Sequence, residues 1–349
     1  RVAPGLRIAL WAHDHHSIWA SSAALAAAGI DASTPDPAGG VIRRDVAGRP
    51  AGCLQEAAVP LVLGIVPPPE PERLDRAIER ACRELLSLGV VAAHDPSEVN
   101  ADVDLAGGFA AYERLGAAGR LPVRIHASVR PESLERAIGR GLRSGAPLGG
   151  EGSAATVGWV KIFADGTLGA RTARMLAPYE PDPVRGPAAN DGLGVHVTAP
   201  EAIERIVARA AAAGIVAQVH AIGDGANREV LRILVATPRG RLRARVEHAQ
   251  IVAPEDQGRF GRDGIAACVM PRDVRADAAN AFAFWGRART EAGAYAYRSL
   301  AAGGALIPFG TDAPVEPPDP WPQIASAVTR RDPAWGAERE AFVASQALP

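Results

Sequence analysis

The alternation of helix and strand patterns from residue 71 onward most limits what this chain can fold into. Residues 71–88 carry apolar side chains at three- and four-residue spacing, which is typical of an amphipathic helix, and Gly89 ends it. Short apolar segments separated by helical patterns predict a parallel sheet covered by helices, and therefore an α/β fold. The predicted strands are residues 90–95, 123–129, 157–163, 215–220, 244–248, 265–270 and 305–310. The helices predicted between them are residues 105–119, 133–142, 200–213, 225–235, 254–262 and 291–302.

Seven such units are one fewer than a (β/α)8 barrel requires. Because the chain begins with Arg1 rather than Met, we expect a TIM-type (β/α)8 barrel that lacks its first strand. The wall of this barrel should be open between the strands predicted at 90–95 and 305–310. An open doubly wound sheet is the alternative, although the glycine-rich phosphate loop typical of that fold does not follow the predicted strands.

Residues 1–66 do not follow this alternation. The predicted elements there are a strand at 7–11, a short helix at 21–28 and a hairpin formed by 41–45 and 50–54. We interpret residues 1–66 as an N-terminal insertion packed on the barrel, and residues 67–349 as the barrel with its strands two to eight.

Composition argues against several classes of function. Thirty-eight basic and 39 acidic side chains give a formal net charge of −1, which predicts binding to neither nucleic acid nor an anionic membrane surface. The longest uncharged stretch, residues 17–30, is too short to span a bilayer. Three widely spaced cysteines favour neither a disulfide framework nor a zinc knuckle. These limits fit a cytoplasmic enzyme that acts on a small molecule.

Lys161 is the single lysine, and every other basic side chain is an arginine. The excess of arginine indicates a coding bias that replaces lysine wherever a surface cation suffices. Lys161 is then either a chance survivor or a residue needed for chemistry that a guanidinium cannot perform. An amine can lose its proton and react, whereas arginine stays protonated in proteins.

Four polar residues lie at the ends of predicted strands: Lys161, His220, His248 and Asp312. Parallel barrels have their active sites at this edge. Each residue alone has an ordinary structural role, such as a core histidine, a lysine that reaches solvent or an aspartate at a helix N-cap. Burying all four together is costly unless they pair or bind metal, and two histidines with an aspartate suit Zn²⁺ or a similar ion. A lysine that takes up CO₂ as a carbamate becomes an anionic oxygen ligand that can bridge two ions.

The segments around these residues resemble the metal-dependent amidohydrolase superfamily, in the amidohydrolase family 3 branch that includes N-substituted formamide deformylases. The strong matches are residues 160–172, 219–224, 246–250 and 309–315, and the weaker ones are 16–30 and 52–56. The resemblance covers almost the whole chain, and it implies a family member truncated at both ends.

The resemblance also implies roles for the four polar residues. Lys161 would be the carboxylated lysine, His220 and His248 metal ligands, and Asp312 the metal-bound proton acceptor. One or two divalent ions are implied, with Zn²⁺ as the first choice.

Two departures from the family pattern affect the predicted site. His13 and His15 have the spacing of the family's first-strand His-x-His, but they precede a helical segment rather than follow an apolar strand, so their role as ligands stays open. Asp273 stands where this branch usually has a histidine, so substrate preference is expected to differ. Asp165, Arg171 and Asp273 are the candidates for substrate contact.

The predicted function is metal-dependent hydrolysis of a carbon–nitrogen bond other than a peptide bond, in an amide or an N-substituted formamide. Asp312 would take a proton from the attacking water and pass it to the leaving amine. A deaminase or another ring-opening hydrolase on the same scaffold is one alternative, because a fold does not define its substrate. A non-catalytic fragment without the first-strand histidines is the other. A homodimer is compatible with the sequence, which does not define the oligomeric state.

Overall fold

Two sheets organise the part of the chain that the computed structural model describes, namely residues 5–13, 15–96, 108–183, 186, 188, 190, 192–237 and 242–349. The first sheet contains β1 (Ala9–Trp11), β2 (Ser17–Ala20), β3 (Gly40–Arg44) and β4 (Pro50–Glu56). The second contains β5 (Ala92–Asp95), β6 (Arg124–Val129), β7 (Ala155–Phe163), β8 (Ala217–Ala221), β9 (Arg245–His248) and β10 (Ala266–Cys268).

The second sheet is parallel throughout, and its strands follow one another in chain order from β5 to β10. Six of the seven predicted strands coincide with these six, so the predicted α/β class is confirmed. Apolar side chains of β6 to β10 form much of the buried core under the helices, while Gln218, Arg245 and Glu247 are polar side chains buried in the same strands. Because the strands are parallel, they all end at the same edge of the sheet.

The seventh predicted strand, residues 305–310, is reduced to a single bridge between Phe309 and Val269. The segment still runs beside β10, since Val269 donates its N–H to Pro308 O at 2.9 Å and Gly310 donates to Val269 O at 2.8 Å. Pro308 carries no N–H, so a continuous ladder is not formed at that position.

The six strands form a curled parallel sheet, which is a half-barrel. Strand β5 stands at one end of the sheet, and the segment 305–310 lies beside β10 at the other. Within the described residues, no backbone hydrogen bond joins these two ends, as expected for an open wall. A complete barrel is therefore not confirmed.

The helices lie largely where the sequence predicts them. They are α1 (Ser22–Ala27), α2 (Pro60–Leu63), α3 (Pro71–Ser87), α4 (Gly108–Ala117), α5 (Leu134–Gly139), α6 (Pro200–Ala212), α7 (Asp224–Leu234), α8 (Pro254–Gln257), α9 (Arg259–Asp263), α10 (Val274–Phe284), α11 (Arg287–Gly293), α12 (Tyr297–Ala302) and α13 (Pro320–Thr329). The start of the helix predicted at 105–119 lies outside the described residues. Across the described residues, the structure contains no helix that combines the length and the apolar character needed to cross a membrane.

The first sheet is antiparallel, with strand order β1-β2-β4-β3, and it contains the predicted hairpin as β3 and β4. It has its own apolar cluster, which includes Ile18, Leu25, Ile42 and Leu54 and is separate from the core of the parallel sheet. Strands β2 and β4 pair through Ser17 and Gln55. This pairing holds the residues next to them, His16 and Glu56, at one end of the sheet. The division into residues 1–66 and 67–349 stays a prediction.

We expect Leu115→Ala to lower the free energy of unfolding by about 2–5 kcal/mol, because it leaves a cavity in the core. Leu115 lies in α4 and has no exposed surface. Leu86 in α3 is 40% exposed and is the matched control, for which we expect a much smaller loss. Chemical denaturation followed by circular dichroism measures both. Equal losses for the two variants would contradict this assignment of the core.

Candidate active site

Neighbouring strand ends bring the four polar residues predicted from the sequence to one edge of the sheet. Lys161 lies near the end of β7, His220 lies in β8 and His248 ends β9. Phe163 pairs with His220 in the register of β7 and β8, and the centroids of their rings are 5.1 Å apart. Asp312 interacts electrostatically with both Lys161 and His248. The structure thus brings Lys161, His220, His248 and Asp312 together.

Unusual backbone angles aim two of these residues. His248 has a φ of 71° and Asp312 a φ of 50°, in a region that residues other than glycine rarely adopt. Strand alternation would direct Glu247 and His248 to opposite faces. The bend at His248 instead leaves its ring 4.6 Å from that of His220. Such backbone outliers concentrate at functional sites, where the surrounding structure maintains them.

His220 has one ring nitrogen bonded and one without a partner. Its side chain is fully buried, and Nε2 lies 3.0 Å from Gly166 O, which can only accept, so Nε2 carries the proton. Nδ1 is buried and has no hydrogen-bond partner within the described residues. Burial, followed by the neighbouring His248 and His16, holds the pKa of His220 well below its usual range. A neutral imidazole with an unshared lone pair can bind a divalent metal ion.

Asp165 holds the backbone around His220. Its carboxylate accepts the N–H groups of Ile222 at 3.0 Å and of Gly223 and Arg174 at 2.8 Å each. Oδ1 also lies 3.5 Å from His220 Nε2. Burial raises the pKa of Asp165 to about 7, against the effect of the three backbone donors. Asp165 is fully buried, and its bonds fix the backbone on which His220 lies. Its predicted role in substrate contact stays a prediction.

Lys161 is buried among groups of both charges. Its Nζ lies 4.5 Å from the centroid of the Phe163 ring. Burial lowers the pKa of its amine, Glu247 and Asp312 oppose this effect, and nearby arginines add to it. A lowered pKa increases the fraction of unprotonated amine, which is the form that reacts with CO₂.

His16, from the N-terminal sheet, is a site residue that the sequence reasoning did not single out. Its ring centroid is 4.9 Å from that of His220, and its Nδ1 lies 2.7 Å from Glu56 Oε2. Glu56 in turn accepts a hydrogen bond of 2.7 Å from the hydroxyl of Thr172. His16 begins one of the weaker family matches and Glu56 ends the other, so the sequence did indicate that these two segments resemble the family. Their contact could not be predicted, because 40 residues separate them.

A cavity of about 70 Å³ opens beside these residues. His16, His248, Asp273 and Asp312 are among the side chains that line it. Oδ1 of Asp273 is buried and has no hydrogen-bond partner within the described residues. Burial and the carboxylates of Asp277, Asp312 and Glu316 hold the pKa of Asp273 well above its usual range. Asp273 therefore lies where a substrate would meet it, as the sequence predicts for a substrate-contact residue, although the contact itself stays a prediction.

Arg171 lies in a different environment from Asp273. It is 3% exposed, donates a hydrogen bond of 2.7 Å to Gly186 O, and has its guanidinium 5.6 Å from the centroid of the Phe284 ring. These contacts connect the loop after β7 to α10. The predicted role of Arg171 in substrate contact stays a prediction.

The side chains of His220, His248 and Asp312 fit a divalent ion only when Lys161 is counted as a fourth ligand. Across the residues that the structure describes, no group of three or more His, Cys, Asp and Glu side chains is arranged to hold a metal ion. Lys161 interacts with His220, His248 and Asp312, so it joins the other three. As a protonated amine it would repel a cation, whereas its carbamate would supply an oxygen ligand. The His220 nitrogen without a partner is the observation that favours a metal here.

The fold and this site define an α/β protein with a polar cluster at the carboxyl edge of a parallel sheet. Residues 1–348 match the model of the amidohydrolase family, and the chain belongs to that family. The resemblance inferred from the sequence motifs is confirmed.

Three relatives place the chain within the family. It is 35% identical to YtcJ of Bacillus subtilis (strain 168), named as an amidohydrolase, over 95% of this chain and 60% of that protein. It is 28% identical to the N-substituted formamide deformylase of Arthrobacter pascens, over 99% of this chain and 63% of that protein. The crystal structure of an uncharacterized metal-dependent hydrolase from Pyrococcus horikoshii OT3 has a TM-score of 0.73 and 26% identity, over 98% of this chain and 64% of that one. The chain thus spans about three fifths of these relatives' length.

We expect Asp165→Asn to lower the free energy of unfolding by about 1–3 kcal/mol, because an amide offers one acceptor oxygen and leaves a buried N–H group unpaired. The exposed pair of Glu291 with Arg287 supplies the control, Glu291→Gln, for which we expect almost no change. Thermal unfolding at neutral pH measures both variants. Unchanged stability of Asp165→Asn would show that the three backbone bonds do not hold this loop.

Proposed function

We propose that this protein is a metal-dependent hydrolase that cleaves a carbon–nitrogen bond in a small amide or N-substituted formamide. The observation that carries the proposal is the buried Nδ1 of His220, which has no protein partner within the described residues, on a ring that lies beside His248 and interacts with Lys161. A buried ring nitrogen without a hydrogen-bond partner costs free energy unless a ligand binds to it. Membership of the amidohydrolase family supports the same reading.

In this proposal Lys161, as its carbamate, and His220 and His248 hold one or two divalent ions, and Zn²⁺ is the first choice. When bound, the ion polarises the substrate carbonyl and makes a water molecule more acidic. The hydrogen bond from His220 Nε2 to Gly166 O defines which ring nitrogen is available. The low pKa of His248, about 4, keeps its imidazole neutral at physiological pH.

Asp312 acts as the proton carrier. It lines the cavity and interacts with both Lys161 and His248, so a proton taken up there stays close to the reacting centre. It accepts a proton from the attacking water and delivers it to the nitrogen of the leaving amine. Asp312 has a left-handed backbone, with a φ of 50°, which is typical of residues at functional sites.

His16 and Asp273 orient the substrate on either side of the reacting bond. Glu56 accepts the Nδ1 proton of His16, which directs the rest of the ring toward the cavity. The raised pKa of Asp273 favours its protonated form, which donates a hydrogen bond to a substrate oxygen in this proposal. In this proposal residues 1–66 form an insertion that packs on residues 67–349 and supplies His16 and Glu56.

Product analysis on a panel of small substrates tests the proposal. Simple amides and N-alkyl or N-aryl formamides are incubated with the intact protein, and the acid and the amine are quantified separately. Equal amounts of acid and amine support the proposal. Ammonia released from an amino-substituted heterocycle, with no cleavage of amides or formamides, would identify a deaminase instead.

We expect removal of bound metal by a chelator to abolish hydrolysis, because the residues of the site cannot by themselves acidify the attacking water. Adding back Zn²⁺, Mn²⁺ or Co²⁺ after removal of the chelator should restore activity in proportion to the metal bound. Metal content is measured by mass spectrometry on the samples used for the assay. Full activity in a metal-free sample would contradict the proposal.

We expect Lys161→Arg to abolish hydrolysis although it retains the positive charge, because arginine forms no carbamate and would repel the metal ion. Lys161→Ala should also be inactive, and a small carboxylic acid in the buffer should partly restore it by filling the vacant ligand position. Initial rates and metal content are measured for both variants.

A lysine with only a structural role would tolerate arginine better than alanine, which is the opposite order. Arg124→Ala is the control, since Arg124 is exposed at the start of the neighbouring strand β6. It should retain normal activity and metal content. Activity of Lys161→Arg close to that of the unmodified protein, with unchanged metal content, would exclude the carbamate.

A further inference from the structure

A second cavity, of about 310 Å³, is lined in part by His16, as the first one is. Its apolar walls come from both sheets and the segments that follow them: Trp11, Val59, Pro60, Phe163, Val197 and Ile206. His16 lines both cavities, so the two meet at this side chain. A volume in this range accommodates an aromatic or branched aliphatic group.

Arg130 places a buried positive charge at this cavity, whose other polar lining residues are His15, His16, Glu56, Glu132 and Thr198. It follows β6, lines the cavity and exposes 9% of its surface. Its Nε and Nη1 atoms are buried and have no hydrogen-bond partner within the described residues. The nearest carboxylate, Glu132, is 3.8 Å from Nε, beyond hydrogen-bonding distance, and its side chain is 56% exposed.

The surrounding protein compensates for this charge only in part. The guanidinium carbon lies 4.9 Å from the centroid of the Phe163 ring, which provides a cation–π contact. Lys161 lies over the same ring and adds a repulsive interaction with Arg130 while it is protonated. A buried guanidinium with unused donors is costly, and a planar anion that accepts two parallel hydrogen bonds would satisfy it.

We propose that Arg130 binds a carboxylate of the substrate, so that the preferred substrates are N-acyl compounds with a carboxylate and an apolar side chain. The amide lies beside His248 and Asp312, the apolar group occupies the second cavity, and the carboxylate pairs with Arg130. The proposal rests on the proposed hydrolase function for the position of the reacting amide, but the pairing of Arg130 with a carboxylate can be tested without turnover.

Equilibrium binding tests the pairing of Arg130 with a carboxylate separately from the hydrolysis of the amide. Isothermal titration calorimetry on the intact, metal-loaded protein compares 3-phenylpropanoate with 3-phenylpropan-1-ol, which has the same apolar group without the charge. We expect the carboxylate to bind at least about tenfold more tightly, and Arg130→Met to remove most of this preference. Arg124→Met, at the exposed arginine that begins β6, should leave the preference unchanged.

Two further variants cover the case in which Arg130→Met does not fold. Arg130→Lys keeps the charge but not the paired donors and should retain part of the preference. Glu132→Gln removes the competing carboxylate and should strengthen binding of 3-phenylpropanoate. No preference in the unmodified protein, or a preference unchanged in Arg130→Met and Arg130→Lys, would overturn the proposal.

Turnover of N-formylphenylalanine and N-formyl-2-phenylethylamine, which differ only in the carboxylate, completes the test. We expect Arg130→Met to lower kcat/KM about tenfold or more for the first compound and to leave the second almost unchanged. An equal loss for both would indicate that Arg130 supports Lys161 rather than the substrate, and would overturn the proposal. Carboxylate-selective binding without hydrolysis of any amide would instead count against the proposed function alone.

Discussion

The parallel pairing of successive strands is the constraint on which the site depends. Parallel strands in chain order all end at one edge, so a polar residue near the end of each strand meets the others without any special loop. Lys161, His220 and His248 come from three consecutive strands, and the left-handed backbone at His248 brings its ring close to that of His220. Burying these polar groups together costs free energy of folding, and burial of the large apolar core offsets this cost.

Two buried carboxylates stabilise this edge from different directions. Asp165 binds the backbone of the loops after β7 and β8, and it therefore controls where His220 sits. Glu56 connects His16 with Thr172, and so joins the N-terminal sheet to the loop after β7. Each carboxylate is a single side chain that satisfies several donors at once. Both therefore act through the position of other groups, and a small change at either would alter the geometry of the whole site.

Much of the fold could be predicted from sequence patterns. Helix α3 begins at Pro71 and ends before Gly89 as its spacing and end signals indicate, and six predicted strands are present. The prediction at 305–310 failed in detail because Pro308 lacks the N–H that a continuous ladder needs. The helix predicted at 254–262 is divided into α8 and α9 near Gly258. A barrel closes when its first and last strands pair edge to edge. Hydrophobic periodicity describes each strand separately and does not report this pairing.

The sequence by itself determined the α/β class, the family, and the four polar residues at strand ends, because each of these follows from local patterns of residues. Only the tertiary structure decided that Asp165 is buried and bonded to the backbone, that His16 reaches His220, and that Arg130 lines a partly apolar cavity with unused donors. These facts depend on contacts between segments far apart in the chain. Contacts of this kind, and the burial and charge that come with them, are set by how the two sheets pack and not by the residues next in sequence.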